Sequence, residues 1–250
     1  MVNPGIDVAH SRAATALAES QACVYAAVGV HPNSSADFSD ETLAAVRALA
    51  AHSKAVAIGE IGLDYYWKSV EPPAQAAAFE AQLTLAAELG LPVIIHNRDA
   101  DDDVAAILRS WVKSEQFRAS ALARRPFAGV LHAFGGKPEL AQEAYEWGFV
   151  VSLGGPITFK NARAFQDTAS QLDPKRLMLE TDAPYLTPHP YRGARNEPAR
   201  IPLILDRLAK LLGMSPEALA FVTSETALRF CGLEDAYSVG HTASHNASIN

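Results

Sequence analysis

Short apolar runs recur along the chain, and amphipathic stretches separate them. The runs start near residues 24, 55, 92, 128, 149 and 177: Val24–Val30, Ala55–Ile58, Leu91–Ile95, Ala128–Leu131, Phe149–Leu153 and Leu177–Leu179. Runs of this length with little polar alternation read as strands buried on both faces. Between them the spacing predicts helices. Ser11–Glu19 is alanine-rich, and Ser39 caps Asp40–Ala51, whose Leu43, Val46 and Leu49 share one face. Pro72 or Pro73 opens a helix that stops at Gly90, and another runs from about Asp101 through Trp111. Further helices are predicted at Pro138–Trp147, near Asn161–Gln171, at Pro198–Leu212 and at Ser215–Cys231. Residues 1–10 carry no strand pattern. Regular alternation of strand and helix predicts an α/β fold with a parallel sheet, of the TIM-type (β/α) barrel. Such a barrel has eight strands, and six are legible, so an incomplete barrel is expected, lacking its first two. Val24–Val30 and Leu177–Thr181 would be its free edges, open to self-association. One domain is expected over residues 1–235, with a flexible polar tail over 236–250.

The apolar runs deliver charged or metal-binding groups where they end. Glu60 lies between Gly59 and Gly62, His96 follows Ile95, His132 follows Leu131, and Asp182 follows the Leu177 run. A buried carboxylate is costly unless a cation or donor meets it. Glu60, His96, His132 and Asp182 stand 36, 36 and 50 positions apart, near multiples of a βα unit of roughly 30 residues. They therefore point from strand ends on one face toward one spot. Two imidazoles and two carboxylates converging there suit a divalent ion, with zinc, manganese and magnesium all open. Such an ion polarises a phosphoryl or acyl oxygen and acidifies a bound water. Glu60 and Asp182 are candidates for ligand, bridge or proton-accepting base. His31, before Pro32, lies on the same face. Asp64 is placed to hydrogen-bond a ligand histidine or to cap a turn. Arg98, Tyr185, Arg192 and Arg195 are candidates for substrate contacts.

Composition narrows the field. With 250 residues, 49% of them hydrophobic, the chain supports one large α/β domain. A net charge of −7 excludes a broad basic surface that coats DNA, though not a nuclease cleft. Two cysteines, Cys23 and Cys231, cannot build a disulfide framework. No apolar run reaches the roughly 18 residues of a membrane span, and Met1–Gly5 lacks a signal-peptide pattern, so a cytoplasmic protein is expected. Neither G-x-S-x-G nor a Walker loop is present. Residues 112–127 are basic through Lys113, Arg118, Arg124 and Arg125, read either as a solvated loop or as a phosphate-contacting flap.

Six blocks in order resemble one family: Val28–Pro32, Ile58–Tyr66, Pro92–Arg98, Leu131–Gly136, Glu180–Leu186 and Arg192–Pro198. The chain resembles the TatD metal-dependent deoxyribonucleases over about residues 11–231. The resemblance implies that Glu60, His96, His132 and Asp182 ligate one or two ions, with Glu60 bridging. It implies hydrolysis of DNA phosphodiester bonds from the 3′ end. The family's first strand also carries a His-x-His pair, and this sequence has none; His10 stands alone. One ion would then keep Glu60, His96 and His132, the other only Glu60 and Asp182. The alternatives are a weakly active or inactive metal-binding relative, or a small amide or ester hydrolase.

Overall fold

The structure is a computed structural model, and it describes residues 1–234; the tail expected over 236–250 lies outside the described residues. Seven parallel strands form one curled sheet in sequence order: β1 Val2–Pro4, β2 Tyr25–Val28, β3 Ala55–Asp64, β4 Val93–Arg98, β5 Gly129–Leu131, β6 Phe149–Leu153 and β7 Leu177–Leu179. Helices alternate with them as expected of a TIM-type fold. They are α1 Val8–Ser20, α2 Asp40–Ala50, α3 Pro72–Leu89, α4 Asp101–Lys113, α5 Glu115–Ala119, α6 Pro138–Glu146, α7 Arg163–Ala169, α8 Ile201–Leu212 and α9 Pro216–Cys231. The helix signals act locally. Ser39 Oγ accepts from Thr42 N, Ser215 Oγ accepts from Ala218 N at 3.1 Å, and Gly90 ends α3 at φ 68°.

The strand count corrects the sequence reading. Residues 2–4 pair with Tyr25–Ala27, so the sheet has seven strands, and its edges are β1 and β7 rather than Val24–Val30 and β7. Val2-Asn3-Pro4 has no apolar run to announce it. It is held by backbone bonds instead: Tyr25 N–H donates to Met1 O at 2.8 Å, and the terminal ammonium donates to Cys23 O at 2.9 Å. A proline and partial exposure are tolerated because the strand is an edge.

Most of the core lies between the sheet and the helices, around Ile58, Ile61, Leu63, Phe79, Leu83, Leu108 and Phe149. Inside the curl the side chains are smaller, Ala27, Ala57, Val130 and Val150, with Phe127 and Phe230 filling one end. All ten residues of β3 are buried, since strands flank it and helices cover it. Its Gly62 aligns with His96 of β4, and a Cβ on Gly62 would lie 2.0 Å from His96 O. Glycine is therefore required where these two strands pass.

The basic insert is helical rather than a loop, with Lys113, Arg118 and Arg124 in solvent and its apolar side packed down, and it forms no flap over the strand exits. Phe117 and Leu122 are buried, and the Phe117 ring packs 4.6 Å from Trp111. Arg125 donates to Phe230 O of α9 at 3.0 Å. The insert joins α4 to β5, so it lies at the end of the sheet opposite the strand exits.

Candidate metal centre

Because the strands are parallel, their C-terminal ends share one face, and the chain's buried imidazoles meet there. Glu60 Oε1 is their common partner. His96 Nδ1 and His132 Nε2 each lie 2.7 Å from it, and His31 Nε2 lies 3.6 Å away. Donor atoms of His31, Glu60 and His96 fall within 4.8 Å of one another. The His31 and His96 rings meet edge-on at 4.2 Å. His31, placed by sequence outside the ligand set, thus stands inside the cluster.

Two buried glutamines of α3 fix the strand exits that carry these groups. Gln82 Oε1 accepts from Val30 N at 2.8 Å, and its Nε2 donates to Val30 O at 3.0 Å. Gln75 does the same for Asp64, at 2.8 Å to its N and 2.9 Å to its O. The N-terminal segment contributes too: Glu60 N donates to Gly5 O at 3.0 Å, and His31 N to Ile6 O at 2.9 Å. Asp64 holds the next layer. Its Oδ2 lies 3.1 Å from His96 Nε2 and accepts from Asn33 Nδ2 at 3.0 Å, while Oδ1 accepts from the Tyr66 and Trp67 amides. This carboxylate fixes the orientation of the His96 ring.

Glu180, just past β7, was not singled out by sequence. Its Oε1 accepts from Ala133 N at 2.7 Å, its Oε2 accepts from the Ser152 hydroxyl, and His132 Nδ1 lies 3.5 Å from Oε2. A signal existed: Glu180 follows its apolar run as directly as His96 and His132 follow theirs. Asp182 lies two residues further, with φ 56°.

The charges are strongly coupled. Burial works against the Glu60 carboxylate, but His132 and His96 outweigh it and hold its pKa well below the usual range. Burial opposes charging of His132, yet Glu60 and Glu180 raise its pKa well above that of a free imidazole. Burial and the neighbouring His96 lower His31 to about 4. Burial raises Asp182 to about 6, helped by Glu180 and Glu60 and opposed by His132 and His96.

The outlying candidates are placed differently. Arg98 lies over the Tyr66 ring at 3.9 Å, not in an ion pair with Asp99 or Asp101 among the described residues. It lines a cleft of about 590 Å³ together with His132, Asn97, Asp99 and Asp101–Asp103. Arg192 stacks on Phe159 at 3.6 Å, Arg195 is exposed, and Tyr185 is 71% exposed. No hydrogen bond or ion pair among the described residues joins these last three to the cluster. His10 pairs with Asp7 at an exposed position of α1.

The family model for TatD related DNase matches residues 1–232. The chain belongs to the TatD family. It is 43% identical over 206 residues to YabD of Bacillus subtilis, called an uncharacterized metal-dependent hydrolase, covering 82% of this chain and 76% of that one. It is 37% identical over 234 residues to the 3'-5' ssDNA/RNA exonuclease TatD of Citrobacter rodentium, covering 92% and 85%. The crystal structure of the TatD homologue YJJV from Escherichia coli superposes with a TM-score of 0.83 at 28% identity, over 92% of this chain and 85% of that one. The donor set of this TatD-family site fits a divalent ion on its own chemistry: imidazole nitrogens and carboxylate oxygens, buried together, with His31 held neutral near pH 7.

Proposed function

We propose that the chain is a metal-dependent hydrolase that cleaves phosphodiester bonds of nucleic acid from a strand end. The observation that carries this reading is Glu60 Oε1, set among three imidazoles beside an open cleft. His31, Glu60, His96 and His132 would hold the ion, with Asp182 at the rim. When bound, the ion polarises a phosphoryl oxygen and lowers the pKa of water. The protein's own groups do the rest. Asp64 fixes the His96 ring and Glu180 that of His132. Asp182, raised to about 6, is poised to accept a proton from the attacking water at its carboxylate near neutral pH. Arg98 stands at the cleft as a cation for the substrate's phosphate. The name of the Citrobacter relative supports the substrate class.

One observation favours a second reading. Asp99 and Asp101–Asp103 make one cleft wall acidic, which repels a polyanion and suits a small ester or amide. The test is an end-labelled single-stranded oligonucleotide against p-nitrophenyl acetate, with magnesium, manganese or zinc added to chelated protein. Stepwise shortening from the 3′ end, lost in Asp182→Ala, supports the nuclease. Ester hydrolysis with an intact oligonucleotide supports the alternative.

A further inference from the structure

A second cavity, of about 270 Å³, lies beside the large cleft. The two share Ala133, Phe134 and Gly135, so the turn after β5 is a ridge between them. The walls differ on the two sides of that ridge. On one side stand Arg98, Asp99, Asp101–Asp103 and His132; on the other stand Phe165, Pro156, Ala162 and Leu186, with Glu180 as the single charged residue. Gly154 forms part of the wall next to Glu180, its would-be Cβ 3.4 Å from Glu180 Cγ. The turns that shape the pocket hold left-handed backbone at non-glycine residues, Ala133 at φ 45° and Leu186 at φ 51°. Such conformations persist where the surroundings impose them.

We propose that this pocket receives the nucleobase of the terminal nucleotide while its phosphate lies at the Glu60–His132 cluster. The inference rests on the nucleic-acid reading above. Three observations favour a base as occupant. The volume lies below the roughly 300–1,000 Å³ that holds a drug-sized ligand, which suits one planar ring system. Its walls are apolar, and the half-buried Phe165 offers the ring face on which bases stack irrespective of sequence, with the buried Phe134 behind the ridge. The pocket shares Ala133 and Glu180 with the cluster, and Ala133 N–H binds Glu180 Oε1 at 2.7 Å, so a ligand in the pocket is within a residue of His132. The larger cleft is lined by the charged Arg98, Asp99 and Asp101–Asp103, a poor bed for an apolar ring face, which leaves this apolar side to the base.

Equilibrium binding tests the proposal without turnover. Thymidine 5′-monophosphate and 2-deoxyribose 5-phosphate are titrated calorimetrically into the manganese-loaded full-length chain, its Ala162→Trp variant and its Phe165→Ala variant. The parent is expected to bind the nucleotide about tenfold more tightly than the sugar phosphate, as one stacked base supplies. Ala162→Trp, which fills the pocket from its rim, is expected to bring the ratio close to one, and Phe165→Ala to reduce it. Equal affinities in the parent, or a ratio retained in Ala162→Trp, would overturn the proposal. Photo-crosslinking of 4-thiothymidine 5′-monophosphate to the parent needs no variant. Adducts at Pro156, Ala162, Phe165 or Leu186, which line the pocket and not the cleft, support the proposal, and adducts within 97–103 overturn it. A base preference in a chain that leaves DNA intact would refute the nuclease reading and uphold the pocket.

Discussion

The two ends of the sheet solve the same problem, turning the chain, in different ways. Where helices lead into strands, positive φ falls on glycine: Gly90 before β4 and Gly148 before β6, both near the free minimum for that residue. Where strands leave the sheet, Gly62 takes φ 144°, but positive φ also falls on Asp99, Ala133, Asp182 and Leu186, which lack glycine's freedom. The first end also keeps its charges in water, as with Lys113, Arg118 and Arg124. The second buries Glu60 and His132 against each other. One end is relaxed and soluble; the other stores strain and desolvated charge. Such costs persist where function requires them.

Glycine substitutions break the comparison most sharply. Gly62→Ala at the site end sets a methyl against His96 O with no flexible atom to yield. Its cost should exceed about 3 kcal/mol, seen as a collapse of the urea midpoint or loss of soluble protein. A result within about 1 kcal/mol of the parent would mean that the β3–β4 register is wrong.

The next effect concerns charge. Burial raises the folded pKa of Asp182 to about 6 from its ordinary 3.8. Its contribution to stability is thus present below about pH 4 and lost as pH rises through about 6. In metal-free protein, Asp182→Asn escapes that loss. The variant should gain on the parent between pH 4 and 7.5, by at most about 3 kcal/mol, measured as the change in ΔTm across that range. Added manganese should then stabilise the parent more than the variant, because only the parent keeps the carboxylate. A ΔTm that is flat with pH would show that Asp182 is not desolvated.

Smaller effects belong to the helix-to-strand end. Gly90→Ala puts a methyl 3.1 Å from Ala121 Cβ at φ 68°, and should cost about 1 kcal/mol by thermal melting. Arg118→Ala, exposed and without an ion pair among the described residues, should change stability by less than about 0.5 kcal/mol. It should leave the Michaelis constant for an oligonucleotide unchanged. A several-fold rise in that constant would return the insert to the substrate path.

What was legible in the sequence follows from the kinds of force involved. Six strands showed as apolar runs because burial on both faces leaves a compositional mark. β1 left none, since backbone pairing, not side-chain burial, holds Val2–Pro4 in place. The meeting of Glu60, His96 and His132 followed from strand-end spacing. That of His31 did not, because its approach depends on how Gln82 and Ile6 hold the turn after β2. Glu180 and the two α3 glutamines were passed over as ordinary helix and strand-end polars. Their roles come from hydrogen bonds to residues far away in sequence. The insert misled because four basic residues outweighed the two apolar anchors, Phe117 and Leu122, that pack it down.

The strand-end cluster built on Glu60 is expected to hold a divalent ion. Metal content of purified protein after exhaustive dialysis tests it, with the parent and Glu60→Gln compared by elemental analysis at matched folding. At least one retained equivalent per chain is expected in the parent and little in the variant, because the oxygen shared by three imidazoles has lost its charge. Equal metal content in the two proteins, or none in the parent under saturating manganese or zinc, would contradict it.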